Sequence, residues 1–330
     1  MSINLSFKTR LLSKIYPYFL SDNIYFDQSI THHIKLIICK LIKILLCGKS
    51  TDPIVKVFCC GNWLSMPFTH ALPQIKAKYP NYDSALPEFC SKVKKSIEEN
   101  LLIIDVGANI GDTITQINTK VSSLKALCIE PSEMYYKLLQ LNTSKLENVL
   151  CLNAFISDEE KKSLNLVEDR GTGISSMVEQ TRNCIPNYTL DFIINTQFQD
   201  FKNANILKID TDGWELQILN GGSQFLKHTN AFIFFEFSPY LYCKVNKNRT
   251  CEDVLKFLKK MNYESFIVYD GEGYLLGYFD LNHSNTFTIL NFIFEYGKIR
   301  SSFYCDILAS HIAKKHFLKE FYHEELKRLT

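Results

Sequence analysis

Carboxylates end one apolar run after another along this chain. Asp105 follows LLII, Glu130 follows ALCI, Asp210 and Asp212 follow ILKI, Glu236 stands inside AFIFFEF, and Asp158 comes just after LNAFIS. Ionised carboxylates in such places accept hydrogen bonds from hydroxyls, attract cations and take up protons as general bases, and they repel phosphate. Glu130, one apolar run beyond Asp105, suits a bidentate hydrogen bond from the hydroxyls of a ribose. Glu236, an acid within a nearly continuous apolar run, needs a partner and is therefore more informative than a surface glutamate. Gly107 and Gly111 follow Asp105 and let the chain turn sharply into a helix, which makes a ligand-binding corner. Their spacing is neither the G-x-G-x-x-G of nicotinamide enzymes nor the lysine-bearing P-loop.

The elements that must position these residues alternate. LLIID (101–105), LKALCIEP (124–131), ENVLCLNAFIS (147–157), NILKIDTDG (205–213) and AFIFFEFSP (231–239) read as buried strands, with amphipathic segments between them. Such a pattern predicts an α/β fold with a parallel sheet, whose strand tips bring the acids to one edge. YESFIVYDGEGYLLGYF (263–279) reads as two antiparallel strands joined near Gly271 and Gly273, 287–296 as a further apolar element, and 305–329 as a closing amphipathic helix. The hydroxyl-rich excursion around Gly171 and Gly173 reads as a loop or hairpin. Before the first strand, 1–33 reads as loosely helical cover interrupted at Pro17. Five prolines between 51 and 90 leave no long regular element there, and the stretch suits a lid or a linker. The domain reading is therefore a mostly helical N-terminal accessory or lid region (1–95), a catalytic domain (96–297) and a C-terminal amphipathic helix (298–330).

A chain of 330 residues with 46% hydrophobic content can bury a large core, and a net charge of +2 leaves no nucleic-acid footprint. Charge is uneven: the two ends are basic and the remainder acidic. Eleven cysteines without a C-x-x-C pair or a Cys/His cluster read as reduced thiols, and no metal site is expected. No signal peptide opens the chain. IKLIICKLIKILLC (34–47) is too short to span a bilayer. It reads first as a helix packed on the body with snorkelling lysines, and second as an interfacial helix on an acidic membrane. His228, His283 and His311 read as packing or surface residues, while His70 is the histidine placed to reach the site from the lid.

IIDVGANIGDT, CIEPS, LNAFISDE, LKIDTDGWELQILNGG and FFEFSP, in this order and at these separations, resemble the FkbM family of S-adenosylmethionine-dependent methyltransferases. The resemblance covers about residues 100–240 and leaves the first hundred residues outside. It implies a doubly wound, seven-stranded, mostly parallel Rossmann-like sheet and methyl transfer to a hydroxyl of a sugar or secondary metabolite. By the same resemblance Gly107, with Asn109 and Gly111, lies beneath the methionine portion of S-adenosyl-L-methionine and Asp105 near its amino group. Glu130 holds the ribose with Pro131 and Ser132 nearby, and Asn153 and Ala154 border the adenine, with Asp158 on the loop beyond.

The family's fourth-strand motif is commonly D-x-E-G-x-E. Asp212 departs from it by one methylene, which keeps the charge and changes the reach. Asp210, at the tip of that strand, is the first choice for the base or acceptor-orienting acid, with Glu236 and Glu215 as alternatives. The expected partner is a small-molecule or glycan acceptor and not nucleic acid. A binding protein that keeps this fold without turnover is the main alternative, and a nucleic-acid methyltransferase, lacking its D/N-P-P-Y motif, a weaker one. The expected location is cytoplasmic, with the basic helix 34–47 allowing contact with the inner face of a membrane. The sequence does not speak to oligomeric state.

Overall fold

The computed structural model describes residues 10–14, 37–38, 41–42, 44–45, 48, 52–160, 165–168, 175–178, 185–283 and 285–329. The reading of residues 15–33 and the glycines at 171 and 173 lie outside these. Hairpin strands β1 (Ile54–Cys59) and β2 (Asn62–Pro67) are followed by helices α1 (Leu72–Lys78) and α2 (Ala85–Lys95). The main sheet then begins with β3 (Leu101–Val106), α3 (Asp112–Lys120), β4 (Leu124–Ile129), α4 (Glu133–Thr143) and β5 (Val149–Leu152). Short strands β6 (Phe155–Ile156), β7 (Asn165–Glu168), β8 (Ser175–Val178) and β9 (Asn187–Tyr188) lead to α5 (Leu190–Thr196) and β10 (Ile206–Ile209). Next come α6 (Glu215–Gly221), α7 (Ser223–Thr229), β11 (Phe232–Phe237), α8 (Pro239–Val245) and α9 (Glu252–Lys260). The chain closes with β12 (Tyr263–Asp270), β13 (Leu275–Asp280), α10 (Thr286–Gly297), β14 (Cys305–His311) and α11 (Lys315–Leu329).

Among the described residues the main sheet has eight strands in the order β13-β12-β14-β11-β10-β3-β4-β5. The five strands from β11 to β5 run parallel, while β14 lies antiparallel between β11 and β12. The strand beyond the seven read from the sequence is β14. Both sheet faces are covered, which is why the strands read as continuous apolar runs. Ile104, Val106, Leu207, Ile209, Ile233 and Phe235 pack in one layer. Leu101, Ile103, Ile206, Phe232 and Phe234 pack in the other.

Three features differ from the sequence reading. Residues 54–67 form a hairpin, because Pro53 and Pro67 bracket the strands and do not interrupt them. Its turn places Cys60 and Gly61 at φ 55° and 76°, the left-handed pair that a two-residue hairpin turn requires. The hairpin packs on α4 through Tyr135 and Leu138, and the Asn142 side chain ties it down at Ser65 N (2.7 Å), Ser65 O (2.9 Å) and Ile110 O (2.9 Å). Residues 305–311 are strand β14 and only 315–329 are the closing helix. A short apolar run buried on both faces carries no period that separates strand from helix. Finally, the expected strand at 147–157 is split into β5 and β6, and β6 pairs with β9 away from the main sheet.

Candidate active site

Strand tips and loops enclose a cavity of about 340 Å³ at the carboxyl edge of the sheet. This lies within the range of small-molecule sites, and its position is where open α/β sheets bind ligands. Gly107 begins the floor. At φ 82° it turns the chain, and a Cβ there would lie 1.8 Å from the Asp210 carbonyl oxygen, so only glycine lets the β3 loop approach β10 this closely. The amides of Gly107 and Ala108 both donate to Ile129 O, at 2.9 and 3.0 Å, which locks the loop to the tip of β4.

Glu130 continues from that tip and is held from two sides. The Asn109 amide donates to Oε2 and the Ser132 amide to Oε1, each at 2.8 Å. Each oxygen keeps further acceptor capacity toward the cavity that Glu130 lines. Burial pushes this carboxyl up to about 7, against the opposing pull of those two amides. Asn153 braces the corner by donating to Glu130 O (2.8 Å) and Pro131 O (2.9 Å). Pro131, Ala154, Phe155 and Ile156 form an adjoining, largely apolar wall, and Tyr135 stands near it. From the N-terminal region His70 lines the same cavity. Its Nδ1 accepts from the Leu72 amide at 3.3 Å, which leaves the proton on Nε2, 3.4 Å from Asn109 Oδ1. Burial lowers the His70 pKa.

At the other end, Lys208 links the first and fourth strands. Register places it beside Asp105, and its ammonium lies 3.0 Å from Asp105 Oδ1, 3.4 Å from Asp210 Oδ2 and 3.3 Å from Gly107 O. Burial alone would lower the lysine pKa. The carboxylates of Asp105, Asp210 and Asp112 outweigh it and hold the pKa well above its ordinary value. Burial raises the Asp105 carboxyl, with Lys208 offsetting part of that rise. The Asp105 side chain is 1% exposed and the Lys208 side chain 7%, whereas that of Asp210 is 42% exposed and lines the cavity. Asp105 thus acts beneath the site through Lys208, and Asp210 is the member of the trio that a ligand meets.

Of the residues singled out from sequence, Gly107, Asn109, Glu130, Pro131, Ala154, Asp210 and Glu236 line the cavity together. Asp105, Gly111, Ser132, Asn153, Asp158 and Glu215 do not. Gly111 caps α3 at φ 81°, and the Ser132 hydroxyl caps α4 by accepting the Tyr135 amide. Asp158 lies 3.8 Å from Arg249, which draws it to the outer side of the loop. Glu215, the alternative base, is 1% exposed and accepts the Gly213 amide at 2.9 Å, so it organises the turn into α6.

The sequence reading missed Lys208, Asp112, Trp214, Tyr82, Asp83 and Tyr304. A lysine inside the apolar run ILKI was the available signal for the first. Tyr82, Asp83 and Tyr304 come from segments with no local sign of a site. Among the described residues no group of His, Cys, Asp or Glu is arranged to hold a metal ion.

The site fits S-adenosylmethionine. Glu130 is fixed with acceptor capacity facing the cavity, an apolar wall suited to a planar base adjoins it, and the carboxylates of Asp210 and Glu236 line the same cavity, as a cationic ligand requires. Residues 105–265 match the family model of the methyltransferase FkbM domain. No curated protein matches the chain. The solved methyltransferase FkbM from Methylobacillus flagellatus KT is 10% identical, with 75% of this chain and 51% of that chain covered at a TM-score of 0.34. This chain therefore spans about half the length of that protein. Precorrin-6y C5,15-methyltransferase from Geobacter metallireducens GS-15 is 14% identical, covering 68% of this chain and 85% of its own at 0.36. Magnesium protoporphyrin IX methyltransferase from Synechocystis PCC 6803, solved with bound SAH, is 10% identical, covering 72% and 86% at 0.38. The match begins at Asp105 and takes in both Glu130 and the fourth-strand acids, so residues 105–265 of this chain are identified as a methyltransferase FkbM domain.

Proposed function

We propose that this protein is an O-methyltransferase acting on a hydroxyl of a small molecule, a sugar of a glycan or glycolipid precursor or a secondary metabolite. The observation that carries the reading is the division of one cavity between Glu130, held for a ribose, and Asp210, exposed and anchored to Lys208. When bound, S-adenosylmethionine supplies an activated methyl group, so the chain needs only to bind, align and deprotonate an acceptor. Glu130 accepts from the ribose hydroxyls, and Ala154, Phe155 and Ile156 cover the base. Asp210 accepts the acceptor hydroxyl and takes its proton, while Lys208 holds that carboxylate in place. Tyr82 and Tyr304 close the far end against water. The acidic lining opposes a phosphate backbone and so favours a small-molecule or glycan acceptor over nucleic acid.

Calorimetry on the purified chain tests the cofactor reading: S-adenosylmethionine and S-adenosylhomocysteine should bind, and absence of heat with both would sink it. The pH dependence adds a sign. Burial pushes the Glu130 carboxyl up to about 7, and its ionised form is the better acceptor for ribose hydroxyls. S-adenosylhomocysteine affinity is therefore full above that pH and falls below it, by at most about tenfold per pH unit. Glu130→Gln should bind weakly with a flat profile, and an unchanged slope in this variant would remove the assignment. Release of S-adenosylhomocysteine with a glycan and metabolite extract separates an enzyme from a binding protein, and labelling confined to nucleic acid would reverse the acceptor class.

A second observation bears on location. Ile37, Ile38, Leu41, Ile44 and Leu45 are helical and exposed, and Ile42 alone of the described residues in this stretch packs on the hairpin core. The expected packing of 34–47 against the body therefore does not hold for these five. No helix among the described residues is long and apolar enough to cross a membrane. An exposed apolar helical face in a stretch bearing Lys35, Lys40 and Lys43 supports peripheral binding to an acidic, cytoplasmic membrane face. The full chain should float with acidic liposomes and not with neutral ones. Serine at positions 37, 41 and 45 should abolish flotation, and equal flotation of this variant would discard the reading.

A further inference from the structure

The end of the cavity beyond Asp210 carries two carboxyls that, among the described residues, neither accept a hydrogen bond nor form an ion pair. Asp83 arrives from the turn between α1 and α2, and Glu236 from the tip of β11. Asp306 stands directly opposite Glu236 in the antiparallel β11–β14 register, which puts both side chains on one face of the sheet. Asp306 is only 6% exposed. Among the described residues none of the three carboxyls accepts a hydrogen bond or has a cationic nitrogen within ion-pair distance, whereas each carboxyl oxygen of Glu130 and of Glu325 accepts a hydrogen bond. Lys208, the cation lining this end, is already committed to Asp105 and Asp210. Lys76 donates to Tyr82 O and, at 3.2 Å, to Gln116 Oε1.

Two aromatic rings complete the enclosure. The Tyr304 hydroxyl donates to Gly271 O at 2.7 Å, so this side chain offers the cavity its ring and not its proton. Tyr82 lines the cavity beside Asp83. Half-buried carboxyls that lack donors are costly to maintain, and a site that gathers Asp83 and Glu236 beside the rings of Tyr82 and Tyr304 from three separate segments is complementary to an organic cation.

We propose that this end of the cavity is an acceptor subsite for a protonated amine carried on a hydroxylated small molecule, such as an amino sugar or amino alcohol. Asp83 and Glu236 supply its countercharge, with Asp306 opposite Glu236 in the sheet, and Tyr82 and Tyr304 its aromatic wall. The inference rests on reading the Glu130 end as the S-adenosylmethionine pocket: the amine anchors the acceptor while a neighbouring hydroxyl meets Asp210. Burial raises the carboxyls of Asp83, to about 7, and of Glu236 and Asp306, as expected of acids awaiting a positive partner.

The test uses the full chain loaded with S-adenosylhomocysteine and saturation-transfer NMR. The probes are glucosamine, galactosamine and 2-amino-1,3-propanediol, each beside its N-acetyl counterpart, with glucuronate as an anionic control. The amines should bind at least about tenfold more tightly than their N-acetyl forms and glucuronate should not bind, as charge-assisted pairing requires. Glu236→Gln and Asp83→Asn should each weaken amine binding by about tenfold, with retained S-adenosylhomocysteine binding showing that each variant is folded. Equal binding of amines and N-acetyl forms, binding of glucuronate, or no amine binding by a chain that binds S-adenosylhomocysteine would overturn the proposal. Amine binding without S-adenosylhomocysteine binding would overturn the cofactor reading alone, and loss of both would overturn both.

Discussion

Replacing Lys208 with methionine is expected to destabilise the fold by about 3–5 kcal/mol at neutral pH, the range for removing one partner of a buried ion pair. Methionine fills a similar volume, so the loss reports charge and not packing. The Asp105 side chain, 1% exposed, would remain beneath the site without its Lys208 ion pair. The direction with pH follows from the sign of its shift. Asp105 already has a folded-state pKa raised above its ordinary value, by burial. Protonation therefore favours the folded state, and stability from this group declines as pH rises from the unfolded value through the folded one. Loss of Lys208 raises the folded value further, so the deficit of the variant should shrink as pH is lowered from 7 toward 5. Urea unfolding at both pH values measures this. A second change, Asp105→Asn, should recover much of the loss by removing the uncompensated charge. A single variant as stable as wild type at pH 7 would show that the pair is immaterial to the fold.

Converting Asp210 to asparagine should lower kcat by about 10²–10⁴-fold, the usual contribution of a positioned general base. The substitution keeps size and polarity and removes the capacity to take a proton. Its Oδ2 lies 3.4 Å from the Lys208 ammonium, and the side chain is 42% exposed toward the cavity, so it is both oriented and reachable. Because the ribose contact is proposed for Glu130 and not for Asp210, affinity for S-adenosylhomocysteine should change little. Release of S-adenosylhomocysteine at saturating donor, with the acceptor recovered from a metabolite extract, gives the rate. Turnover like that of wild type would move the role to Glu236, the other candidate base in the cavity wall. Glu215→Gln offers a contrast: this side chain accepts the Gly213 amide behind the cavity, so its loss should appear in thermal stability before it appears in rate.

Asp212, the departure from the family's usual glutamate, has a local explanation. It adopts φ 53° immediately before Gly213 at 105°. Aspartate is among the residues that tolerate the left-handed region, since its short polar side chain can hydrogen-bond locally.

What the sequence by itself determined was local: which runs are strands, where the chain must turn, and that carboxylates would stand at strand tips. Leu101–Val106, the glycine at 107 and Glu130 could be read this way because run length, backbone freedom and residue type act between near neighbours. Strand β14 could not, because its place between β11 and β12 is settled by pairing and not by any period within Cys305–His311. The same holds for the division of labour among the acids. Asp105 is neutralised because register sets Lys208 beside it, and Glu130 is pinned because the Asn109 and Ser132 amides converge on it. Asp83, Glu236 and Asp306 keep their acceptor capacity because the fold brings three distant segments together with no cationic nitrogen at ion-pair distance among the described residues. An acid's role follows from its charge, its burial and its partners together. The sequence supplies the charge, and only the tertiary structure supplies the other two.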